Sequence, residues 1–407
     1  MEVLMIGPGN PNPQNSGLGI ACYHIAQNLA KNVHLKLFSV ESAEELADQE
    51  TETSRTETLN RQKLTNKKQL NADLVHLSVK SELNPYFYAS SVEIEQHQND
   101  NKNIEISVQE ALEDFSQIII SKSRNLDFDI IYAHDWTAIP ASKNLKELSG
   151  KPFVLHIHAL DYDRAGKISN SWLFDLEKEG MQIADLVIAV SEYHKKIMVK
   201  EYGIKASKIK VIHHGIDELQ VSDYKAPFDE DIILFCGRLS LQKGAKTFID
   251  IADALLKKEK NLRFVVTGQG ELLEEMIASS TEKAILDKIH FTGHLPQEDV
   301  FAIMKASQVM VMPSLSEPFG LSALEAVSLE LPVVLSKNCG VAEVLKDVPK
   351  VVKSNIDSYV TAIREILTNR EQSSKIAKDN AESVKKRNWE TVSDDIFSAL
   401  KQELKNG

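Results

Sequence analysis

Along the chain, short apolar runs that end in glycine or polar turns alternate with longer segments whose apolar residues recur at helical spacing. The runs are EVLMIG, DIIYAHD, PFVLHIHA, DLVIAVS and KIKVIHHG in the first half, then DIILFCGRL, LRFVVTGQG, KIHFTGH, QVMVMPS and PVVLS in the second. Runs that are apolar at consecutive positions are buried on both faces. Separated by helices, they predict parallel strands in doubly wound sheets. The first series runs to about His213 and the second begins near Asp231, with HGIDELQVSDYKAPFDED between them as a polar linker. The predicted class is α/β, with two Rossmann-like domains whose strand ends face one interdomain cleft, the place where ligands of open α/β sheets bind.

Two stretches stand apart from this alternation. Residues Glu41 to Leu70 are nearly free of aromatic and β-branched aliphatic residues, which predicts a solvated helix or an excursion from the first domain. Near the end, Trp389, Val392, Ile396 and Leu400 recur at helical spacing, which predicts a docked amphipathic helix. A chain of 407 residues is longer than one hydrophobic core usually organises. The hydrophobic share of 43% and charged share of 26% are those of a globular protein. A formal net charge of -12 argues against a broad nucleic-acid-binding face. Cys22, Cys236 and Cys339 are scattered and odd in number, so neither a disulfide framework nor a zinc knuckle is expected, and a reducing cytoplasm fits. Glu2 and a short apolar start do not read as a secretory signal, and no run is long enough to span a membrane. Peripheral membrane contact stays open.

Candidate chemistry clusters at the ends of the apolar runs. In VMVMPSLSEPFGLSALEA, Glu317 and Glu325 lie eight positions apart. Pro313 and Pro318 hold the loop out of helical geometry, and a helix is expected to begin near Phe319 or Gly320. Eight residues turn a helix about 80° past its starting direction, so the two carboxylates can line one pocket. Gly320 in the first turn lets free backbone N–H groups approach an anion, and Glu325 is placed to accept the vicinal hydroxyls of a sugar. The other reading has Glu317 capping the helix dipole and Glu325 on a solvated face. In GRLSLQKG, Arg238 and Lys243 with Gly237 and Gly244 suit a diphosphate, although two cations in a loop also occur simply solvated. In NSGLGIA, Gly17 and Gly19 follow the first strand and can bring amides to a phosphate. GPGNPN lacks the third glycine of the dinucleotide fingerprint, so a nicotinamide dehydrogenase is poorly supported. His156 and His158 share a face at a strand end, near Asp161, Asp163, His134 and Asp135. A metal hydrolase has to be weighed there, but Leu160 stands where the common His-x-His-x-Asp-His motif needs Asp, and the spacing does not fit it. His213, His214 and Asp217 in VIHHGID are ambiguous by themselves.

Taken in order, NSGLG, ADLVIAVSEYHKKIM, VIHHGID, GRLSLQKG and PSLSEPFGLSALEA resemble the retaining nucleotide-sugar glycosyltransferases of two-domain GT-B architecture, the group that includes glycogen, sucrose and trehalose-phosphate synthases. The pair Glu317 and Glu325 matches that group's Glu-x7-Glu signature. The resemblance implies an N-terminal acceptor domain over residues 1–215, a donor domain over 216–387, and a helix over 388–407 crossing back to the first domain. It also implies that Arg238 and Lys243 hold the donor diphosphate and Glu325 the ribose. Glu317 would face the transferred sugar with the backbone of Phe319, Gly320 and Leu321. Gly19 would close on the phosphate, His158 would sit near the reacting face, and Gly268 and His294 would frame the base. The donor would be a nucleotide-diphosphate sugar, used as substrate with no cofactor and no metal. HALDYDRAG is most similar to the glucan-synthase side of the group, which implies a glucosyl donor and a sugar, oligosaccharide or α-glucan acceptor. A GT-B epimerase and a noncatalytic sugar-nucleotide sensor are the alternatives.

Two positions depart from the group's pattern. Glu330 stands where relatives commonly have glycine, and Cys339 replaces the first of two glycines, leaving Gly340. Both are expected to alter the turn behind the donor site. Tyr86, Phe87 and Tyr88 read either as an aromatic acceptor platform or as core.

Overall fold

A computed structural model of the chain describes residues 1–7, 17–41, 74–80, 98–165, 171–223, 225, 227–352 and 355–406. The aromatic run at 86–88 and nearly all of the 41–70 stretch fall outside the described residues. Two parallel sheets carry the fold. The first holds β1 (Glu2–Ile6), β2 (His34–Glu41), β3 (Leu74–Lys80), β4 (Ile130–His134), β5 (Phe153–Ile157), β6 (Leu186–Ala189) and β7 (Ile209–Val211), in the order β3-β2-β1-β4-β5-β6-β7. The second holds β8 (Asp231–Cys236), β9 (Leu262–Thr267), β10 (Ile289–Gly293), β11 (Val309–Met312), β12 (Val333–Ser336) and β13 (Lys350–Val351), in the order β10-β9-β8-β11-β12-β13.

Alternate residues of each central strand enter different cores. Leu4 and Ile6 of β1 face one cluster while Val3 and Met5 face another, and Ile233 and Phe235 of β8 part from Ile232 and Leu234 in the same way. Burial on both faces is why these strands are apolar at consecutive positions. In each sheet the strand order reverses beside its first strand, between β1 and β4 and again between β8 and β11. The loops leaving those strands open a crevice at the topological switch point. The glycines after β1, the cations after β8 and the glutamate loop after β11 all lie at such points.

Three strands add to those read from the sequence. In β2, His34 and Lys36 alternate with Leu35 and Leu37, and β3 lies beyond it at the sheet edge. That half-polar pattern differs from the continuous apolar runs of the centre. The third, β13, has only two residues.

The connection after β7 and the stretch before the last helix run side by side. Ile216 N donates to the Arg387 carbonyl and Trp389 N to Asp217 Oδ1. The helix Trp389–Asn406 then packs on the helix Gly17–Leu29 of the first sheet. Trp389, Val392, Ile396 and Leu400 are buried there with Ile25 and Leu29. Among the described residues, no helix is long and apolar enough to cross a membrane.

The turn at Glu330 keeps its shape without glycine. Glu330 ends the helix Leu321–Ser328 with φ +64, in the left-handed region, and is exposed. It lies at the opposite end of that helix from the donor loop, so its departure from the expected glycine bears on strain rather than on the donor. A left-handed L-residue costs about 1–2 kcal/mol, part of which glycine loses again as unfolded-chain entropy. Glu330→Gly is therefore expected to stabilise the protein by about 0.5–1 kcal/mol, read as a higher denaturation midpoint with donor affinity unchanged.

Candidate active site

The loop after β11 pairs along its length with the stretch after β12. Glu317 N donates to the Asn338 carbonyl, Gly340 N to that of Glu317, and Val341 N to that of Phe319. Glu317 and Cys339 thus form a parallel bridge. Cys339 is buried, its thiol 3.4 Å from the Phe319 carbonyl and 3.5 Å from Met312 Sδ, so it fills the space behind the loop. Gly320 takes φ +110 as the N-cap, and the helix starts at Leu321, a residue or two later than the sequence suggested. Glu317 therefore precedes the helix, and the angular estimate counted along eight helical residues does not describe it.

Lys243 reaches Glu317 across the crevice. Gly244 is left-handed, at φ +72, and a Cβ there would lie 2.2 Å from the Pro313 carbonyl oxygen. Only glycine permits the approach that sets the loop after β8 against the loop after β11. Lys243 Nζ then donates to Glu317 Oε2 at 2.5 Å, and Ser314 Oγ lies 3.4 Å from the same oxygen. Arg238, more exposed, pairs with Glu271 at 3.3 Å. Each expected diphosphate-binding cation thus has a carboxylate partner, which an entering phosphate would have to compete with.

Glu325 lies one turn into the Leu321–Ser328 helix, buried, with Gln297 Nε2 donating to it at 3.3 Å. It is not on a solvated face. Burial pushes its carboxyl up to about 7, with the Gln297 hydrogen bond opposing. Gly268 and His294 come together at the ends of β9 and β10, where Gly268 N donates to the Gly293 carbonyl, and His294 is exposed. Gly17 opens the first helix, and a Cβ on it would meet Leu321 Cδ1 at 3.6 Å, so the glycine turn of the first sheet lies against the donor loop of the second. Gly19 is buried inside that helix.

Further contacts between the sheets gather on the same loop. Ser191 Oγ donates to the Pro318 carbonyl at 2.5 Å, and Ser316 Oγ to Asp163 Oδ1 at 2.5 Å. The Tyr193 hydroxyl lies 2.9 Å from Ser316 Oγ. Glu343, following the loop's partner strand, accepts from the backbone N–H of Glu192 and Tyr193 at the start of a first-domain helix, and lies 3.0 Å from His213 Nε2. These serines, Asp163 and Glu343 were not singled out for this role by sequence reasoning. Their partners lie more than 120 residues away, so no local motif marks them.

His158 lies just past β5, in a row of buried imidazoles. Its Nε2 is 2.9 Å from His134 Nδ1 and its Nδ1 is 3.1 Å from His214 Nε2, while His156 Nδ1 is 2.8 Å from the Tyr132 hydroxyl. Burial holds His134 and His214 down to about 3 and His156 and His158 well below the usual histidine range, so the row is neutral. Two groups, Cys22 with His134 and His158, and His156 with His158 and His214, bring possible ligand atoms within 4.8 Å of one another. The His158 ring is stacked on that of His156, and its nitrogens meet the nitrogens of His134 and His214 edge to edge, in line rather than at a common centre. A tetrahedral ion would need converging lone pairs.

Comparison with known proteins agrees with this arrangement. Residues 217–402 match the family model of glycosyl transferases group 1, and residues 113–218 that of glycosyltransferase family 4. An uncharacterised glycosyltransferase of Methanocaldococcus jannaschii is 29% identical over 235 residues, 54% of this chain and 60% of that protein. The match therefore spans somewhat more than half the length of that curated relative. Among solved structures, a sucrose-phosphate synthase from Thermosynechococcus elongatus superposes over 100% of both chains with a TM-score of 0.76 and 19% identity. Anabaena HepE in complex with UDP-glucose superposes over 99% of this chain and 100% of its own, with a TM-score of 0.71 and 16% identity. At those identities the likeness concerns the fold, which is GT-B.

Proposed function

The chain belongs to the glycosyltransferases of group 1, and from that premise we propose that it is a retaining hexosyltransferase. It would move a glucosyl group from a nucleotide-diphosphate sugar to a sugar, oligosaccharide or α-glucan. The observation that carries this reading is the Lys243–Glu317 contact closed over Gly244, with Glu325 buried one turn into the helix that follows. The UDP-glucose held by Anabaena HepE supports the donor class.

Breaking the bond between the anomeric carbon and phosphate leaves an oxocarbenium-like sugar and a diphosphate that gains negative charge. Lys243, Arg238 and the N–H groups at Gly320 and Leu321 stabilise that leaving group. The incoming phosphate takes over Lys243, and Glu317 then turns its carboxylate to the hydroxyls of the sugar. Retention follows from same-face attack, with the leaving phosphate accepting the acceptor's proton, so no carboxylate nucleophile is required. The proposal needs no metal or cofactor. The direct test is release of free UDP from UDP-glucose that depends on added acceptor and persists in chelator. Release without acceptor would favour the epimerase alternative, and binding without release the sensor.

Glu325 gives the donor site a pH signature. Two vicinal hydroxyls donate best to an ionised carboxylate, and the buried carboxyl ionises near 7. Donor affinity is thus expected to be full above pH 8 and to weaken as pH falls through 7, by up to about tenfold per pH unit below it. Glu325→Gln should be weak throughout and should lose that dependence. Calorimetric titration of donor between pH 5.5 and 8.5 checks both.

A further inference from the structure

Asp135 follows β4 with φ +54 and ψ −173, a region that is essentially restricted to glycine. It is held there from two sides. Its backbone N–H donates to the His156 carbonyl, continuing the ladder between β4 and β5. Its buried carboxylate accepts from His158 N at 2.6 Å and also from the Ala159 amide. A side chain in a glycine conformation whose oxygens are committed to the two amides where the chain leaves β5 holds the backbone of His158 in place.

The ring of His158 is held as well. A neutral imidazole has one donor and one acceptor nitrogen. With His134 on one nitrogen and His214 on the other, the hydrogens of the two neighbours together set the tautomer of His158. His214 comes from the segment that links the two sheets. Its ring meets Phe319 of the donor loop edge-on at 5.0 Å and Trp389 at 5.4 Å. Among the described residues, His214 Nδ1 has no hydrogen-bond partner, so the ring's polar contact is with His158.

The geometry points to Asp135 and His214 as positioning residues for transfer, the first acting through the backbone of His158 and the second through the orientation and tautomer of its ring. This rests on the reading that His158 faces the transferred sugar. Contact of His214 with Phe319 ties that orientation to the loop that holds the donor.

Glycine at position 135 separates the positioning role from a structural one, because it relieves the backbone while removing the carboxylate. Asp135→Gly relieves the backbone but leaves two buried amides without an acceptor, so the melting temperature should stay near that of wild type while kcat falls at least tenfold with donor KM little changed. Asp135→Asn keeps one accepting oxygen for these amides, so its kcat should lie between those of the glycine variant and wild type. His214→Phe keeps an aromatic ring between Phe319 and Trp389 and should also lower kcat about tenfold. In long-range 1H–15N spectra of the unmutated protein, His158 should show one tautomer, and the His214→Phe protein should show a mixture. Wild-type kcat in both Asp135→Gly and His214→Phe alongside an inactive His158→Ala protein would overturn the positioning roles, as would a tautomer-averaged His158 in the unmutated protein. Full turnover by His158→Ala would instead overturn the reading on which they rest.

Discussion

Lys243→Ala is expected to lower kcat/KM for transfer by about 10²–10³, the loss that follows removal of one preorganised donor to a developing oxyanion. That is about 2.7–4 kcal/mol of transition-state stabilisation. The same change strands Glu317, which is 5% exposed and, among the described residues, would keep the Ser314 hydroxyl 3.4 Å from its carboxylate. A buried charge without its partner destabilises the fold, so the single variant should also melt earlier. The double variant Lys243→Ala, Glu317→Gln removes the stranded charge and should recover most of the melting temperature while staying inactive. Steady-state kinetics beside thermal melts separate the two effects. If the double variant regained activity along with stability, the lysine would be structural.

Trp389→Ala is expected to destabilise the protein by about 3–5 kcal/mol. Trp389 is 2% exposed and lies flat on His24 at 5.3 Å between centroids, with His214 on its other contact. Its backbone N–H also donates to Asp217. Losing the ring opens a cavity where the last helix docks on the Gly17–Leu29 helix, the place where the chain returns to the first sheet. The midpoint of denaturant unfolding, read by far-UV circular dichroism, should fall accordingly. A midpoint within a few tenths of a kcal/mol of wild type would mean that the helix is held by Val392, Ile396 and Leu400 without it.

The architecture was legible wherever burial on both faces leaves consecutive apolar residues, as in EVLMIG or DIILFC. It was not legible at the sheet edges. There β2 mixes His34 and Lys36 into its pattern, and β13 is too short to carry one. At the site, Glu317, Glu325, Arg238 and Lys243 were marked by spacing and by their place after strands. Their pairing was not, because Lys243 and Glu317 lie 74 residues apart. What joins them is the absence of a side chain at Gly244. Asp135 shows the opposite limit, since its glycine-like conformation has no counterpart in residue identity. Glu330 reads as a departure in the sequence, yet the fold simply keeps the left-handed turn with a non-glycine residue. The contacts of Ser191, Ser316 and Glu343 across the cleft depend on how two domains meet, and no local pattern encodes that.

The expectations for transfer depend on a donor seated between the loops after β8 and β11. A crystal structure of the protein with intact UDP-glucose measures this most directly. The diphosphate is predicted within hydrogen-bond reach of Lys243 and the Gly320–Leu321 amides, displacing Glu317 from the lysine, with the ribose hydroxyls on Glu325. A donor bound elsewhere, with the Lys243–Glu317 contact unbroken, would contradict the account.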